Sequence, residues 1–267
     1  MKTRSESPAA YDGLVEAYDE SWSVHVQEPQ QRLTRELRLR PGLRCADIGC
    51  GTGTDTVEML RAVAPGEMVA VDCSPQMLRC VQRRAWQAGL PLTVECSDAS
   101  AFIEEASGFD VVSLRFCLGY LDWRALLPRM PQMVKPGGRL GMLTILATSA
   151  PQAYEAYEEM IRSMRLPAVK RSAPLSLSEI EGPLTDAGCA LESQWVHSFR
   201  LMFATGRELA RFLSQSGLAT HPLLSRAPQD AVAMLWGRFA EILESQRTPA
   251  GIPLDFEIAG LVARVRP

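Results

Sequence analysis

The stretch Asp47-Ile48-Gly49-Cys50-Gly51-Thr52-Gly53 sets three glycines at alternate positions behind an aspartate. Glycine at such positions permits a tight turn and lets a ligand approach the main chain closely, since no Cβ stands in the way. A second carboxylate, Asp72, follows about 20 residues on, where an acid at a strand end can accept hydrogen bonds from the two hydroxyls of a ribose. Dinucleotide-binding folds also present that acid. Their glycines, however, are spaced G-x-G-x-x-G, and their first turn must cradle a pyrophosphate. Here the spacing is D-x-G-x-G-x-G and an anion heads the loop, so a cationic, phosphate-free nucleoside fits better.

The elements that must position this loop alternate between strand and helix. LRCADIGC reads as a buried strand, TDTVEMLRAVA as a helix stopped by Pro65-Gly66, and MVAVDC as a second apolar strand. A helix capped by Ser74, with Pro75 at its first position and Gly89 at its end, leads into the strand PLTVEC. A short helix near Ser100 to Glu105, the strand FDVVSLRF, a helix over about Asp122 to Val134 and the strand RLGMLTIL complete the alternation. Short turns between such elements imply a parallel sheet covered by helices on both faces. Upstream, Leu33 and Leu37 at i, i+4 mark an amphipathic helix ending at Pro41-Gly42. Downstream, PQAYEAYEEMIRSMRL reads as an inserted helix and LSLSEIEGPLTDAG as another capped by Ser178. The strand LESQWVHSFRLMF, helices over Gly206 to Ser216 and Gln229 to Ser245, and the strand IPLDFEIAGLVARV follow.

The loop, Asp72 and the later stretches resemble the class I S-adenosylmethionine-dependent methyltransferases. Asp47 to Gly53 is similar to that family's first motif, Asp72 stands in its ribose position, and Ser97-Asp98-Ala99 in its adenine position. The resemblance covers nearly the whole chain and implies an α/β fold. The expected architecture is a Rossmann-like, doubly wound, mostly parallel seven-stranded sheet with an antiparallel last strand, N-terminal lid helices and inserted cap helices. One domain over 1–267 is expected, with the lid at 1–40, the cofactor-binding core at 41–146, and substrate-cap insertions at 147–176 and 201–250. The implied cofactor is S-adenosyl-L-methionine. Asp47, Gly49, Cys50, Gly51 and Gly53 would form its loop, and Asp72 would hold both ribose hydroxyls. Cys73 and Met77 would border the adenine, Ser97, Asp98 and Ala99 would meet its amino end, and residues 114–118, Arg115 among them, would line the methionine end.

A narrower likeness at the carboxyl end, in FATGRELARFLSQSGLATHP and IPLDFEIAGLVARV, is similar to the malonyl-carrier-protein O-methyltransferases of biotin synthesis. It implies carboxyl O-methylation of a small molecule or carrier-bound acid, with Arg165, Arg171 or Arg200 holding the carboxylate. The chain departs from those enzymes at Tyr120, where tryptophan is usual. Tyr18 and Tyr120 are expected to line the pocket. His25, His197 and His221 are the histidines available as a base if the acceptor must lose a proton, with His25 kept as the catalytic choice beside the two tyrosines.

Composition sets outer limits. The chain has 267 residues, 46% hydrophobic and 22% charged, within the range of a single core. A net charge of −3 lacks the basic balance that drives nucleic-acid binding, and no apolar run approaches the roughly 20 residues of a membrane span. The polar start MKTRSESPAA carries no export signal, and the seven cysteines show neither a CxxC pair nor metal-ligand spacing. A cytoplasmic enzyme without a metal, acting on a small molecule that an acyl carrier protein could carry, is the expectation. The rivals are an O-, N- or C-methyltransferase of secondary metabolism, a non-methylating cyclase or lyase on the same fold, and a non-catalytic binding subunit.

Overall fold

The computed structural model describes residues 15–166, 173–216, 218 and 228–267. Helices α1 (Val15–Ser21) and α2 (Gln27–Glu36) precede a β/α succession: β1 (Arg44–Ile48), α3 (Thr54–Val63), β2 (Glu67–Asp72), α4 (Pro75–Gln87), β3 (Thr93–Cys96), α5 (Ala99–Glu105) and β4 (Phe109–Arg115). Then come α6 (Trp123–Leu126), β5 (Val134–Ile145), α7 (Pro151–Ser163), α8 (Ser178–Asp186), β6 (Cys189–Phe203), α9 (Gly206–Gln215), α10 (Gln229–Glu244) and β7 (Ile252–Val265).

The strands form one sheet in the order β3-β2-β1-β4-β5-β7-β6. β1 to β5 run parallel, and β7 lies antiparallel between β5 and β6, as expected of this class of fold. Strand order reverses between β1 and β4, which opens a crevice at the carboxyl ends of these strands. Alternating side chains feed two cores. Cys45, Met68, Ala70 and Val111 join α2, α3, α4, α7 and α9 on one face, while Ala46, Ile48, Val69, Val71, Val112 and Leu114 join α5, α6 and α8 on the other. The predicted Leu33–Leu37 stripe is fully buried. At the far edge, Trp195 of β6 lies opposite Gly260 of β7, and the Arg32 guanidinium stacks 4.2 Å from the indole ring, which fastens α2 across the sheet.

Local chemistry explains the terminations. Ser74 accepts from the Met77 amide (3.1 Å) with Pro75 following, and Asp98 caps α5 by accepting from the Ser100 amide (2.8 Å). Four expectations need correction. The helix expected over Asp122 to Val134 is broken into α6 and a 3₁₀ turn at Met130–Met133, because Pro128 and Pro131 each remove an amide donor. β5 begins at Val134 rather than after the Pro136-Gly137-Gly138 turn, which becomes a bulge where pairing jumps from Phe109↔Val134 to Val111↔Arg139. α2 stops at Glu36, and Arg38 turns left-handed (φ 52°) well before Pro41. Ser178 is the first residue of α8 and provides no side-chain cap; its hydroxyl meets that of Ser176 (2.7 Å).

A Cβ on Gly260 would sit 2.2 Å from the Trp195 ring. Gly260→Ala is therefore expected to lower stability by about 1–3 kcal/mol through overpacking. Urea unfolding of the two proteins checks this; equal midpoints would mean that the indole does not rest on Gly260.

Candidate cofactor and acceptor site

The glycine loop is shaped by hydrogen bonds to its own neighbourhood. The Gly49 and Cys50 amides donate to the Val71 carbonyl (2.8 and 3.0 Å), and the Gly53 amide closes the turn on the Cys50 carbonyl (3.0 Å). Gly53 is held left-handed (φ 83°), and a Cβ there would lie 2.1 Å from Val81 of α4, so two separate constraints require glycine. Gly51 differs: a Cβ there would meet nothing within 4 Å, because the residue faces open cavity. Its amide donates to Asp72 Oδ2 (3.0 Å), and the Ser74 amide donates to Asp72 Oδ1 (2.8 Å).

The cavity runs over this loop in two parts. Gly49, Gly51, Val71, Asp72, Cys73, Met77, Ser97, Asp98 and Ala99 line one part, at the ends of β1, β2 and β3. Tyr18, Trp22, Phe116, Cys117, Tyr120, Leu121, Ile145, Ser216 and Leu218 line the other, and it is predominantly apolar and aromatic. Phe116 adopts a left-handed backbone (φ 57°) directly after β4, with its amide donating to the Leu143 carbonyl (2.7 Å). Strain of this kind in a bulky residue is concentrated at functional sites. The Phe116 ring lies edge-on to buried Trp22, with centroids 5.5 Å apart.

Beneath the loop lies a cluster of buried charge. Asp47 is 2% exposed and accepts from the Thr56 hydroxyl (2.6 Å); it lies under the loop and does not line the cavity. Burial raises the pKa of both Asp47 and Asp55, against the opposing pull of Arg115. Arg115 borders the cavity, yet its guanidinium turns back into the protein. It pairs with Asp55 (3.1 Å) and donates to Ser113 Oγ (3.0 Å), the Gln30 carbonyl (3.2 Å) and Thr34 Oγ1 (2.9 Å). The cation expected at the methionine end thus has its donors occupied by protein, because a charge 6% exposed requires partners.

The resulting field is negative. Burial, then the charges of Asp72, Asp19 and Asp55, push the Tyr18 phenol far up. Burial and the neighbouring aspartates likewise raise Cys50 and Cys117, and they bring Cys73 to about 11. These groups are neutral at pH 7. Among the described lining residues no cation besides Arg115 faces the negative charge. That donor set suits a positively charged nucleoside and not a phosphate.

The structure brings Tyr18 and Tyr120 together on the cavity wall and leaves His25 outside it, its exposed ring edge-on to Phe212 (5.7 Å). His197 faces Glu28 (3.3 Å), Arg200 pairs at the surface with Asp255 (2.6 Å), and neither they nor Arg165 line the cavity. Arg171 and His221 lie outside the described residues. Cys50 and Gly53 shape the loop without lining the cavity. Sequence reasoning missed Trp22, Leu121, Ile145 and Ser216. Trp22 stands one helical turn after Tyr18, and that i, i+4 spacing is the signal that could have found it.

The fold is that of the class I S-adenosylmethionine-dependent methyltransferases, and the similarities to known proteins support an enzyme of that kind. Residues 45–138 match the family model described as a methyltransferase domain. The chain is 29% identical over 211 residues to 27-O-demethylrifamycin SV methyltransferase of Amycolatopsis mediterranei, covering 72% of this chain and 76% of that protein. It is 26% identical over 180 residues to a ubiquinone biosynthesis O-methyltransferase of Xanthomonas axonopodis, covering 60% and 74% respectively. The solved structure of the YcgJ protein of Bacillus subtilis shares the fold with a TM-score of 0.62 at 16% identity, covering 90% of this chain and 99% of that one.

The thiols provide a pH test. Exposed Cys96 should be alkylated first by iodoacetamide in the native protein at pH 8, with Cys50 and Cys117 unmodified. Cys73 should gain reactivity only as pH rises toward about 11, since the thiolate is the nucleophile and its folded pKa is raised. Peptide mapping by mass spectrometry reads this, and rapid labelling of Cys117 at pH 8 would contradict the buried, negative site.

Proposed function

We propose that the protein transfers a methyl group to a hydroxyl oxygen of an apolar, aromatic small molecule, a phenol or enol. The observation that carries this reading is the outer half of the cavity, where Tyr18, Trp22, Phe116, Tyr120, Leu121, Ile145 and Leu218 converge beside the glycine loop. Burying such a ligand against aromatic walls supplies affinity without a charged anchor. A carboxylate acceptor, free or on a carrier protein, would require a cation there. The described lining offers Arg115 alone, and Asp55, Gln30 and Thr34 already hold it. Two of the similar proteins carry O-methylation in their names, and demethylmenaquinone methyltransferases are similar at 26% identity, so the choice of oxygen rests on the cavity's chemistry and not on the relatives.

The residues divide the work as follows. Asp72 holds the ribose hydroxyls, oriented for that by the Gly51 and Ser74 amides. Cys73 and Met77 border the adenine, and Asp98 with Ser97 and Ala99 meets its amino end. The loop from Gly49 to Gly53 lies along the ribose and methionine. S-adenosylmethionine supplies a methyl group on a sulfonium, and the carboxylate of Asp72 at the cavity wall favours that charge. Tyr18, held neutral, can donate a hydrogen bond to the acceptor oxygen but cannot take its proton. Cys117 and Tyr18 are held protonated and cannot take the proton that the hydroxyl gives up; methyl transfer then yields the ether and S-adenosylhomocysteine, with that proton passing to solvent. Positioning is then the main contribution, worth up to about 7–11 kcal/mol against the roughly 10²–10⁴-fold of a placed base. The seven free thiols fit a reducing cytoplasm.

Methyl-labelled S-adenosylmethionine with 1-naphthol, catechol, aniline and a malonyl thioester tests the proposal. Label is expected in the naphthol or catechol ether; label only in a base-labile malonyl ester would overturn the hydroxyl reading. Asp72→Ala should weaken cofactor binding by about 3 kcal/mol, the scale of charge-assisted hydrogen bonds to two hydroxyls. Trp22→Ala should raise the acceptor KM about tenfold or more while cofactor affinity stays within a factor of two, given the cost of truncating a buried aromatic contact. Steady-state kinetics and calorimetry separate the two effects.

A further inference from the structure

Helix α1 meets the glycine loop through one carboxylate. Asp19 follows the cavity-lining Tyr18 in sequence. Its Oδ1 accepts from the Thr52 hydroxyl (2.7 Å), and its Oδ2 pairs with the Arg84 guanidinium of α4. Arg84 also donates to Thr52 Oγ1 (3.2 Å) and Thr54 Oγ1 (2.6 Å). Thr52 lies between Gly51 and Gly53 and is buried. Three segments distant in sequence therefore meet on one carboxylate, one hydroxyl and one guanidinium.

Attachment of α1 does not need this cluster. Trp22, the residue directly after α1, is 1% exposed and packs edge-on against both Phe116 (5.5 Å) and Phe256 (5.4 Å), which anchors the end of the helix by apolar burial. The Asp19–Arg84 pair is about one-third exposed on each side, so solvent screening leaves it little net stabilising effect. Directional contacts fix register where apolar burial alone allows sliding. The atoms whose register they fix are the Tyr18 and Trp22 rings on one side and the Gly51–Gly53 turn on the other.

We propose that Asp19 is a positioning residue: through Thr52 and Arg84 it locks the acceptor-side rings of α1 to the cofactor loop, so that filling the cofactor site and ordering α1 are one coupled event. The inference rests on the reading of the glycine loop as the cofactor site. Ligand on the loop steadies Thr52, Thr52 steadies Asp19, and the helix that carries Tyr18 and Trp22 is then held for the acceptor. Coupling between two sites is reciprocal, so loosening Asp19 must also weaken the cofactor.

Hydrogen exchange of the amides of residues 15–22, with and without saturating S-adenosylhomocysteine, tests this in the whole protein, beside calorimetry of the same ligand. In the unaltered protein the ligand should slow exchange in α1 by about tenfold, the scale of a coupling free energy of about 1.4 kcal/mol. In Asp19→Asn, Arg84→Met and Thr52→Val that protection should fall below about twofold, with affinity about five- to tenfold weaker. The Asp19→Asn/Arg84→Met pair should be no worse than either single change, since both remove one unit. A purely structural role would instead lower the melting temperature and speed exchange throughout, leaving the ligand-dependent part intact. Full protection of α1 by ligand in the variants overturns the proposal. Failure of the unaltered protein to bind S-adenosylhomocysteine would overturn the cofactor reading itself and this proposal with it.

Discussion

The buried guanidinium of Arg115 is the interaction on which the rest of the site depends. It lies at the end of β4, and its donors reach Asp55 of α3, Ser113 of its own strand, and Gln30 and Thr34 of α2. Asp47 shares its field from beneath the loop. Removing one partner from such a buried set leaves charge uncompensated, at a cost of about 3–5 kcal/mol. One side chain therefore holds α2 against the sheet and opposes the burial that raises the pKa of Asp47 and Asp55 under the glycine turn. Because its donors face inward, the cavity above receives little of its positive charge.

Several properties follow from that orientation. Burial first, and then the negative charge of Asp72 and the aspartates behind it, holds the Tyr18 phenol and the Cys117 thiol in their neutral forms. A sulfonium is favoured there, and a pyrophosphate is not. The apolar half is walled by Trp22, Phe116 and Leu121. Low dielectric strengthens each electrostatic term in that half, which makes positioning effective without a dedicated base.

The core of this arrangement is legible in the sequence because it is local. Asp47 to Gly53 sits on a strand, a turn and a helix that are contiguous in the chain, and Asp72 with Ser74 and Pro75 forms the next such junction. Turn chemistry and capping are written in neighbouring residues, and the structure places them as expected. The helix expected after β4 is broken because Pro128 and Pro131 each lack an amide donor. Arg115 was expected to face the ligand because strand alternation near a strand end does not reveal which charges wait on the other side. Asp55, Gln30 and Thr34 decide its direction, and only the fold brings them there. Trp22 lies one turn from Tyr18, but Ile145 and Ser216 come from two other segments distant in sequence, so no spacing rule links them to the N-terminal stretch. The carboxyl-end likeness to carboxyl-methylating enzymes lies in α9 with the residues after it and in β7, a strand inside the sheet, and of the described residues there Ser216 and Leu218 line the cavity.

A cationic, phosphate-free nucleoside is the ligand that the loop and Asp72 suit. Calorimetric titration of the purified protein with S-adenosylmethionine and with NAD⁺ at the same pH and ionic strength tests it most directly. One tight site for S-adenosylmethionine and no heat for NAD⁺ is the predicted result. NAD⁺ binding as tightly as S-adenosylmethionine would show that the turn accommodates a pyrophosphate and would contradict the account.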